Sequence, residues 1–122
     1  MSPTARVLIV DRSRESRDLL NSLLTRSGAE VIEARGTDRG AQLAAEQRPD
    51  LIVVDAEASQ TDGGEASAAR LAAAAARNDV PIVVLGTFRR CASPLPTEQF
   101  VAKPYHYGAL IRRIEELLGN RQ

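Results

Sequence analysis

Short apolar runs alternate with longer amphipathic segments along the whole of this 122-residue chain. The runs that indicate strands are Val7–Val10, Glu30–Ala34, Leu51–Val54, Pro81–Leu85 and Gln99–Ala102. Helical periodicity marks Ser13–Ser27, Thr37–Gln47, Glu65–Arg77 and Tyr107–Leu118. Uninterrupted apolar strands separated by helices are typical of a parallel sheet that is covered on both faces. The pattern predicts one α/β domain over residues 1–122, a doubly wound five-stranded parallel sheet with helices on both faces.

The connection between the last two strands, Thr87–Glu98, contains Pro94 and Pro96. Proline lacks an N–H and is excluded from a helix interior, so at most about two helical turns fit before Pro94. We therefore expect the fourth helix of the fold to be shortened or irregular.

Composition excludes several classes of protein. One cysteine and one histidine exclude a disulfide framework and a Cys/His zinc site. Sixteen acidic and sixteen basic residues give no electrostatic footprint for nucleic acid or a membrane surface. The longest N-terminal apolar run, Val7–Val10, is too short for a signal peptide or a membrane span. We expect a cytoplasmic monomer or weak dimer that binds neither nucleic acid nor membranes.

Charged residues follow three of the predicted strands. Asp11 follows the first, Asp55 the third and Lys103 the fifth, and Lys103 is the only lysine in the chain. Ligands of doubly wound folds bind outside the carboxyl ends of the strands. An ammonium group can meet one oxygen of a phosphoryl group or a carboxylate. The alternative is that these residues only reflect the polarity of loops.

Several stretches together resemble the receiver domain of two-component response regulators. In order they are Val7–Asp11, Arg48–Asp55, Asp62-Gly63, Pro81–Leu85 and Val101–Tyr105. The resemblance covers essentially the whole chain, and it implies a flavodoxin-like fold and a role in phosphorelay signalling. It implies no enzyme activity beyond assistance to the domain's own phosphorylation and dephosphorylation. The implied partners are a histidine kinase or phosphotransfer protein and an output protein or domain that the sequence does not identify.

The resemblance also implies roles for individual residues. Asp55 is the expected phosphoacceptor, and Lys103 pairs first with Asp55 and then with the phosphoryl oxygens. Asp11, Asp55 and the backbone carbonyl of Glu57 are the expected ligands of Mg²⁺, which prefers oxygen ligands. Phe100 matches an aromatic position whose rotamer reports activation.

Arg12 departs from this family pattern, since receiver domains usually carry a second acidic residue there. A cation beside the site would leave Mg²⁺ weakly bound or absent. Two alternatives are that Arg12 folds over Asp55 as a counter-ion, or that it points into solvent.

Gly86 is a second departure, because this position usually carries a serine or threonine hydroxyl. Thr87 is at best a weak substitute, because neighbouring residues of a strand point to opposite sides. Two functions therefore remain: a receiver phosphorylated on Asp55, or a pseudo-receiver that acts as a phosphorylation-independent interaction domain.

Overall fold

A computed structural model of the chain describes residues 4–60, 64–86, 95–96 and 99–119. The strands are β1 (Arg6–Val10), β2 (Glu30–Ala34), β3 (Leu51–Asp55), β4 (Ile82–Gly86) and β5 (Phe100–Ala102). The helices are α1 (Arg14–Arg26), α2 (Thr37–Gln47), α3 (Gly64–Arg77) and α4 (Tyr107–Gly119), and a 3₁₀ helix, Ala56–Gln60, follows β3. The strands form one parallel sheet in the order β2-β1-β3-β4-β5, which confirms the predicted fold.

The strand order reverses between β1 and β3. The chain passes from β1 to its neighbour β2, and then returns to pair β3 with the other edge of β1. In doubly wound sheets a crevice opens at the carboxyl ends of the strands at such a reversal. The crevice lies where β1 is followed by Asp11 and where β3 ends in Asp55.

The sheet has a separate apolar core on each face. Successive strand side chains point to opposite faces, so each buried strand must be apolar at every position. Leu8 of β1 packs with Leu43 of α2 and Leu71 of α3, whereas Ile9 packs with Leu20 of α1. The second core also includes Leu110 and Ile114 of α4. Helices α2 and α3 thus cover one face, and α1 and α4 cover the other.

Helix α1 begins after a capping serine, Ser13, and ends just before Gly28. The Ser13 hydroxyl accepts a hydrogen bond from the Ser16 N–H at 3.2 Å, as a helix N-cap does. Gly28 follows the helix with φ +96°. The buried stripe of this helix is narrow: Leu20 is buried, whereas Leu19 is 42% exposed. Consecutive helical residues are about 100° apart, so Leu19 lies beyond the edge of the buried face.

Helix α2 lies close to the sheet because Gly40 has no side chain. A Cβ on Gly40 would lie 2.8 Å from Val10 Cγ2. At its first turn, the buried Thr37 hydroxyl hydrogen-bonds the buried Ser67 hydroxyl of α3. Ser67 also donates to the Gly64 carbonyl at 3.1 Å. These contacts fix the start of α3, which is the next helix along the chain after the 3₁₀ helix.

Four of the five strands differ from the predictions by one residue at one or both ends. β1 begins at Arg6 rather than Val7, and β3 ends at Asp55 rather than Val54. β4 begins at Ile82 rather than Pro81, and it extends through Gly86. Pro81 has no N–H to donate, and it joins the ladder only through its carbonyl, which accepts from the Ile52 N–H at 3.0 Å. β5 begins at Phe100 rather than Gln99.

The predicted irregular fourth helix falls on residues 87–98. Of these, the structure describes only Leu95 and Pro96, and neither is helical. The remainder of that prediction lies outside the described residues. Among the helices described, none is long and apolar enough to cross a membrane.

Candidate functional site

Asp55 is the last residue of β3 and is only 7% exposed. Its Oδ1 accepts a hydrogen bond from the Glu57 N–H at 2.8 Å, because the 3₁₀ helix turns the chain back over the carboxylate. Its Oδ2 accepts a hydrogen bond from Lys103 Nζ. The carboxylate is therefore held from both sides, with one oxygen bound to backbone and the other to an ammonium group.

Lys103 is positioned by the end of the sheet. β4 and β5 pair in parallel, and the Lys103 N–H continues their ladder by donating to the Gly86 carbonyl at 2.9 Å. The side chain then reaches Asp55, and its Nζ also lies 4.0 Å from Glu57 Oε2. Burial lowers the pKa of Lys103, but the hydrogen bond and the charge of Asp55 outweigh burial and raise that pKa overall. Lys103 is thus the counter-ion of Asp55 in this structure.

Asp11 lies directly beyond β1 and is 4% exposed. Its N–H donates to the Ala34 carbonyl at 3.1 Å, and its Oδ1 accepts from the Ser13 N–H at 2.8 Å. Burial raises the pKa of Asp11, and the nearby Asp55 charge raises it further, although the Ser13 N–H opposes the shift. The structure therefore holds a second carboxylate beside Asp55 at an electrostatic cost.

Arg17 contributes to this site without having been predicted. Its Nη1 donates to the Asp11 carbonyl at 2.8 Å, and its Nε donates to Glu33 Oε1 at 3.1 Å. The Arg17 side chain is only 12% exposed, and Asn21 holds the other oxygen of Glu33 at 2.6 Å. This network ties the residue after β1 to α1 and β2. An arginine one turn into α1 was the sequence signal, but it looked like one of several surface arginines.

A cavity of about 320 Å³ joins the site residues. Its lining consists of Asp11, Arg12, Ser13, Ser16, Asp55, Glu57 and Lys103. Arg12 is exposed, and within the described part of the chain it forms no hydrogen bond or ion pair. The structure thus brings together the predicted Asp11, Asp55, Glu57 and Lys103, with Arg12 in the same wall.

Gly86 is the last residue of β4, and Phe100 is the first residue of the neighbouring strand β5. A Cβ on Gly86 would lie 2.9 Å from Ala56 Cβ and 3.9 Å from Phe100 Cε2. The first distance is well inside van der Waals contact, so Ala56 leaves no space for a side chain at this position. Sequence reasoning missed Ala56, because the contact depends on the distance between two strand ends. Thr87, the predicted substitute hydroxyl, lies outside the described residues.

The site brings together Asp11, Asp55 and Glu57, which the family resemblance implies as magnesium ligands, but it has Arg12 where a second acidic residue is usual. Only Asp11 and Asp55 supply buried carboxylates, and both oxygens of Asp55 already accept hydrogen bonds. Over residues 4–60, 64–86, 95–96 and 99–119, no three histidine, cysteine or acidic side chains form a group suited to a metal ion. Arg12 adds a positive charge to the cavity wall. The positive charge of Arg12 therefore opposes a Mg²⁺ ion at this pair of carboxylates.

Comparisons with known proteins agree on one family. The family model of the response regulator receiver domain matches residues 7–115. The transcriptional regulatory protein PrrA of Mycobacterium tuberculosis is 33% identical over 95% of this chain and 51% of its own length. A protein-glutamate methylesterase/protein-glutamine glutaminase of a Nocardioides species is 33% identical over 94% of this chain and 33% of its own length. The chain thus spans about a third to a half of the length of these two curated relatives.

Solved structures show the same fold. The receiver domain of a Francisella response regulator has a TM-score of 0.78 at 17% identity, and the match covers 98% of this chain and 100% of that one. The receiver domain of a sensor histidine kinase from Pseudomonas aeruginosa has a TM-score of 0.79 at 20% identity over 96% of this chain and 99% of that one. That domain was solved with a magnesium ion coordinated in its active-site cleft.

Proposed function

The chain belongs to the response regulator receiver domain family, and on that premise we propose that it accepts a phosphoryl group on Asp55. The donor is a phosphohistidine of a histidine kinase or phosphotransfer protein, and the output is a change in protein contacts. The domain works in the cytoplasm, as a monomer or weak dimer, and contacts neither nucleic acid nor membrane. It is a signalling module, and its own chemistry is limited to gaining and losing the phosphoryl group.

The observation that carries this proposal is the environment of Asp55. The carboxylate lies at a cavity that is open to a donor, and its two oxygens are oriented by the Glu57 N–H and by Lys103 Nζ. Phosphoryl transfer depends chiefly on positioning and on neutralising the charge of the phosphoryl oxygens. The ammonium group of Lys103 supplies one such charge at the acceptor itself. The contacts with the Glu57 N–H and Lys103 Nζ distinguish Asp55 from an aspartate that only reflects the polarity of a loop.

The test is acceptor labelling with phosphoramidate, which supplies a phosphoryl group without a kinase. We expect intact-mass spectrometry to detect one added phosphoryl group, which hydroxylamine removes because it cleaves acyl phosphates. Asp55→Asn should abolish the labelling. Asp18→Asn is the matched control, because Asp18 is an exposed residue of α1 that does not line the cavity. Labelling that persists in Asp55→Asn would overturn the assignment.

The pseudo-receiver is the second candidate function, and the Ala56–Gly86 contact favours it. A hydroxyl-bearing side chain at position 86 would force a shift of the backbone at Ala56 or at β4. A phosphoryl group on Asp55 would therefore lack a hydrogen bond that the family usually supplies from this strand end. Folded protein that takes up no phosphoryl group from phosphoramidate, with or without Mg²⁺, would decide for this candidate.

A further inference from the structure

The cavity beside Asp55 contains two cations with different surroundings. Lys103 is held by Asp55 and lies near Glu57. Arg12 lines the same cavity, but among the described residues it has no hydrogen-bond or ion-pair partner. Its guanidinium can therefore bind an incoming anion without breaking an existing contact.

The backbone that carries Arg12 is fixed on both sides. The Asp11 carbonyl is bound by Arg17 at 2.8 Å, and the Ser13 N–H is bound by Asp11 Oδ1 at 2.8 Å. The side chain of Arg12 is exposed, so its guanidinium is accessible to an incoming anion. A guanidinium presents a planar fork of donors that matches two oxygens of a phosphoryl group. The backbone around Arg12 is thus held by hydrogen bonds, while its side chain is exposed at the wall of the cavity.

The same position works against a divalent cation. Magnesium is usually held by one or two carboxylates together with water, and of the two buried carboxylates here Asp55 is already paired with Lys103. A positive charge in the wall repels the ion and attracts the phosphoryl oxygens instead. The cavity is therefore better suited to an anion between two cations than to an anion bound through a metal.

We propose that Arg12 takes the place of the divalent cation, so that Asp55 accepts a phosphoryl group between Arg12 and Lys103 without a metal ion. This inference rests on the proposed function of Asp55. In the step, one Asp55 oxygen forms the new bond to phosphorus while the P–N bond of the donor breaks. The electron pair of that bond leaves on nitrogen, as imidazole from a protonated phosphohistidine or as ammonia from phosphoramidate. The phosphoryl oxygens keep their charge and are bound by the two side chains.

The experiment measures the initial rate of phosphoramidate labelling of the full chain in EDTA and in Mg²⁺. For the native sequence we expect the two rates to agree within about threefold. Removing one charge-assisted contact with Arg12→Gln should lower the rate in EDTA about tenfold or more. Arg14→Gln is the matched control, because Arg14 is an exposed neighbouring arginine that does not line the cavity, and it should leave the rate unchanged.

Arg12→Asp gives an independent reading of the same inference. It restores an acidic residue at the cavity, so labelling should become dependent on Mg²⁺, and Mg²⁺ alone should shift the amide signals of Asp11 and Glu57 in its NMR spectrum. The inference would be overturned if labelling of the native sequence required Mg²⁺ and if Arg12→Gln were labelled at the same rate. Asp55 would remain the acceptor in that case. No labelling under any condition would overturn the proposed function and this inference together.

Discussion

Gly86→Ala tests the packing that separates this site from the family pattern. The new Cβ would lie 2.9 Å from Ala56 Cβ, whereas carbon atoms in contact are usually about 3.5–4.0 Å apart. Both methyl groups are attached directly to backbone, so neither can rotate away. Relief requires a shift of β4 or of the 3₁₀ helix, which carries the residue that follows Asp55.

The expected cost follows from these geometries. Overpacking of a well-packed core by a methylene-sized group costs about 1–3 kcal/mol of the free energy of unfolding. Ala56 is 6% exposed, so Ala56→Gly alone should cost about 1–2 kcal/mol through the lost methyl contacts and the flexible glycine. In the double variant Ala56→Gly/Gly86→Ala one methyl replaces the other, and the clash disappears. We expect the double variant to be more stable than the sum of the single changes by about 1–3 kcal/mol.

The assay is urea denaturation of the four proteins in a double-mutant cycle, followed by circular dichroism. For a chain of this length, 1 kcal/mol corresponds to about 4 °C in Tm, so thermal scans provide a second reading. Gly108→Ala is the matched control: Gly108 is exposed in the first turn of α4, and a Cβ there meets only Arg112 Nη1, at 3.8 Å. The control should be neutral or stabilising by up to about 1 kcal/mol. Additive effects within about 0.5 kcal/mol in the cycle would refute the steric reasoning.

Three further predictions concern the residues around Asp11. Ser13→Ala should lower the free energy of unfolding by about 1 kcal/mol in urea denaturation, since the Ser16 N–H loses its cap; no loss would mean that the cap is not stabilising. Arg17→Ala should cost about 2 kcal/mol or more, because the Asp11 carbonyl and Glu33 lose a charged donor; additivity with Glu33→Gln would contradict this network. The pKa of Asp11 is raised in the folded protein. Ionisation of Asp11 therefore lowers the free energy of unfolding as pH rises from its ordinary pKa of 3.8 toward the raised value. Asp11→Asn should therefore stabilise the protein on the order of 1 kcal/mol at pH 7 and not below pH 3, as urea curves at the two pH values would show.

The sequence predicts the helices and strands well, because capping residues and apolar periodicity act over a few neighbouring residues. The start of α1 follows from the Ser13 side chain, and the buried strands follow from uninterrupted apolar runs. The exposure of Leu19 does not follow from the sequence, because a pair of leucines indicates an apolar stripe without marking its edge. β4 begins one residue later than predicted, because Pro81 accepts a hydrogen bond through its carbonyl but has no N–H to donate.

The chemistry of the site was less visible from the sequence. The parallel sheet predicts that Asp11, Asp55 and Lys103 meet at one edge, but not that Lys103 takes one Asp55 oxygen and the Glu57 N–H the other. The Ala56 contact with position 86 and the Arg17 contact with the Asp11 carbonyl depend on distances between elements. Such distances are set by the packing of helices on the sheet, and no spacing along the chain encodes them.

Binding of beryllofluoride, a mimic of the acyl phosphate, tests most directly whether Asp55 is a phosphoryl acceptor. Titration of the isotope-labelled chain should produce saturable amide shifts at Glu57 and Lys103, whose groups contact the Asp55 carboxylate. The shifts should occur in EDTA as well as in Mg²⁺, and Asp55→Asn should abolish them. Unchanged Glu57 and Lys103 signals in both conditions, in protein that remains folded, would contradict the account of this site.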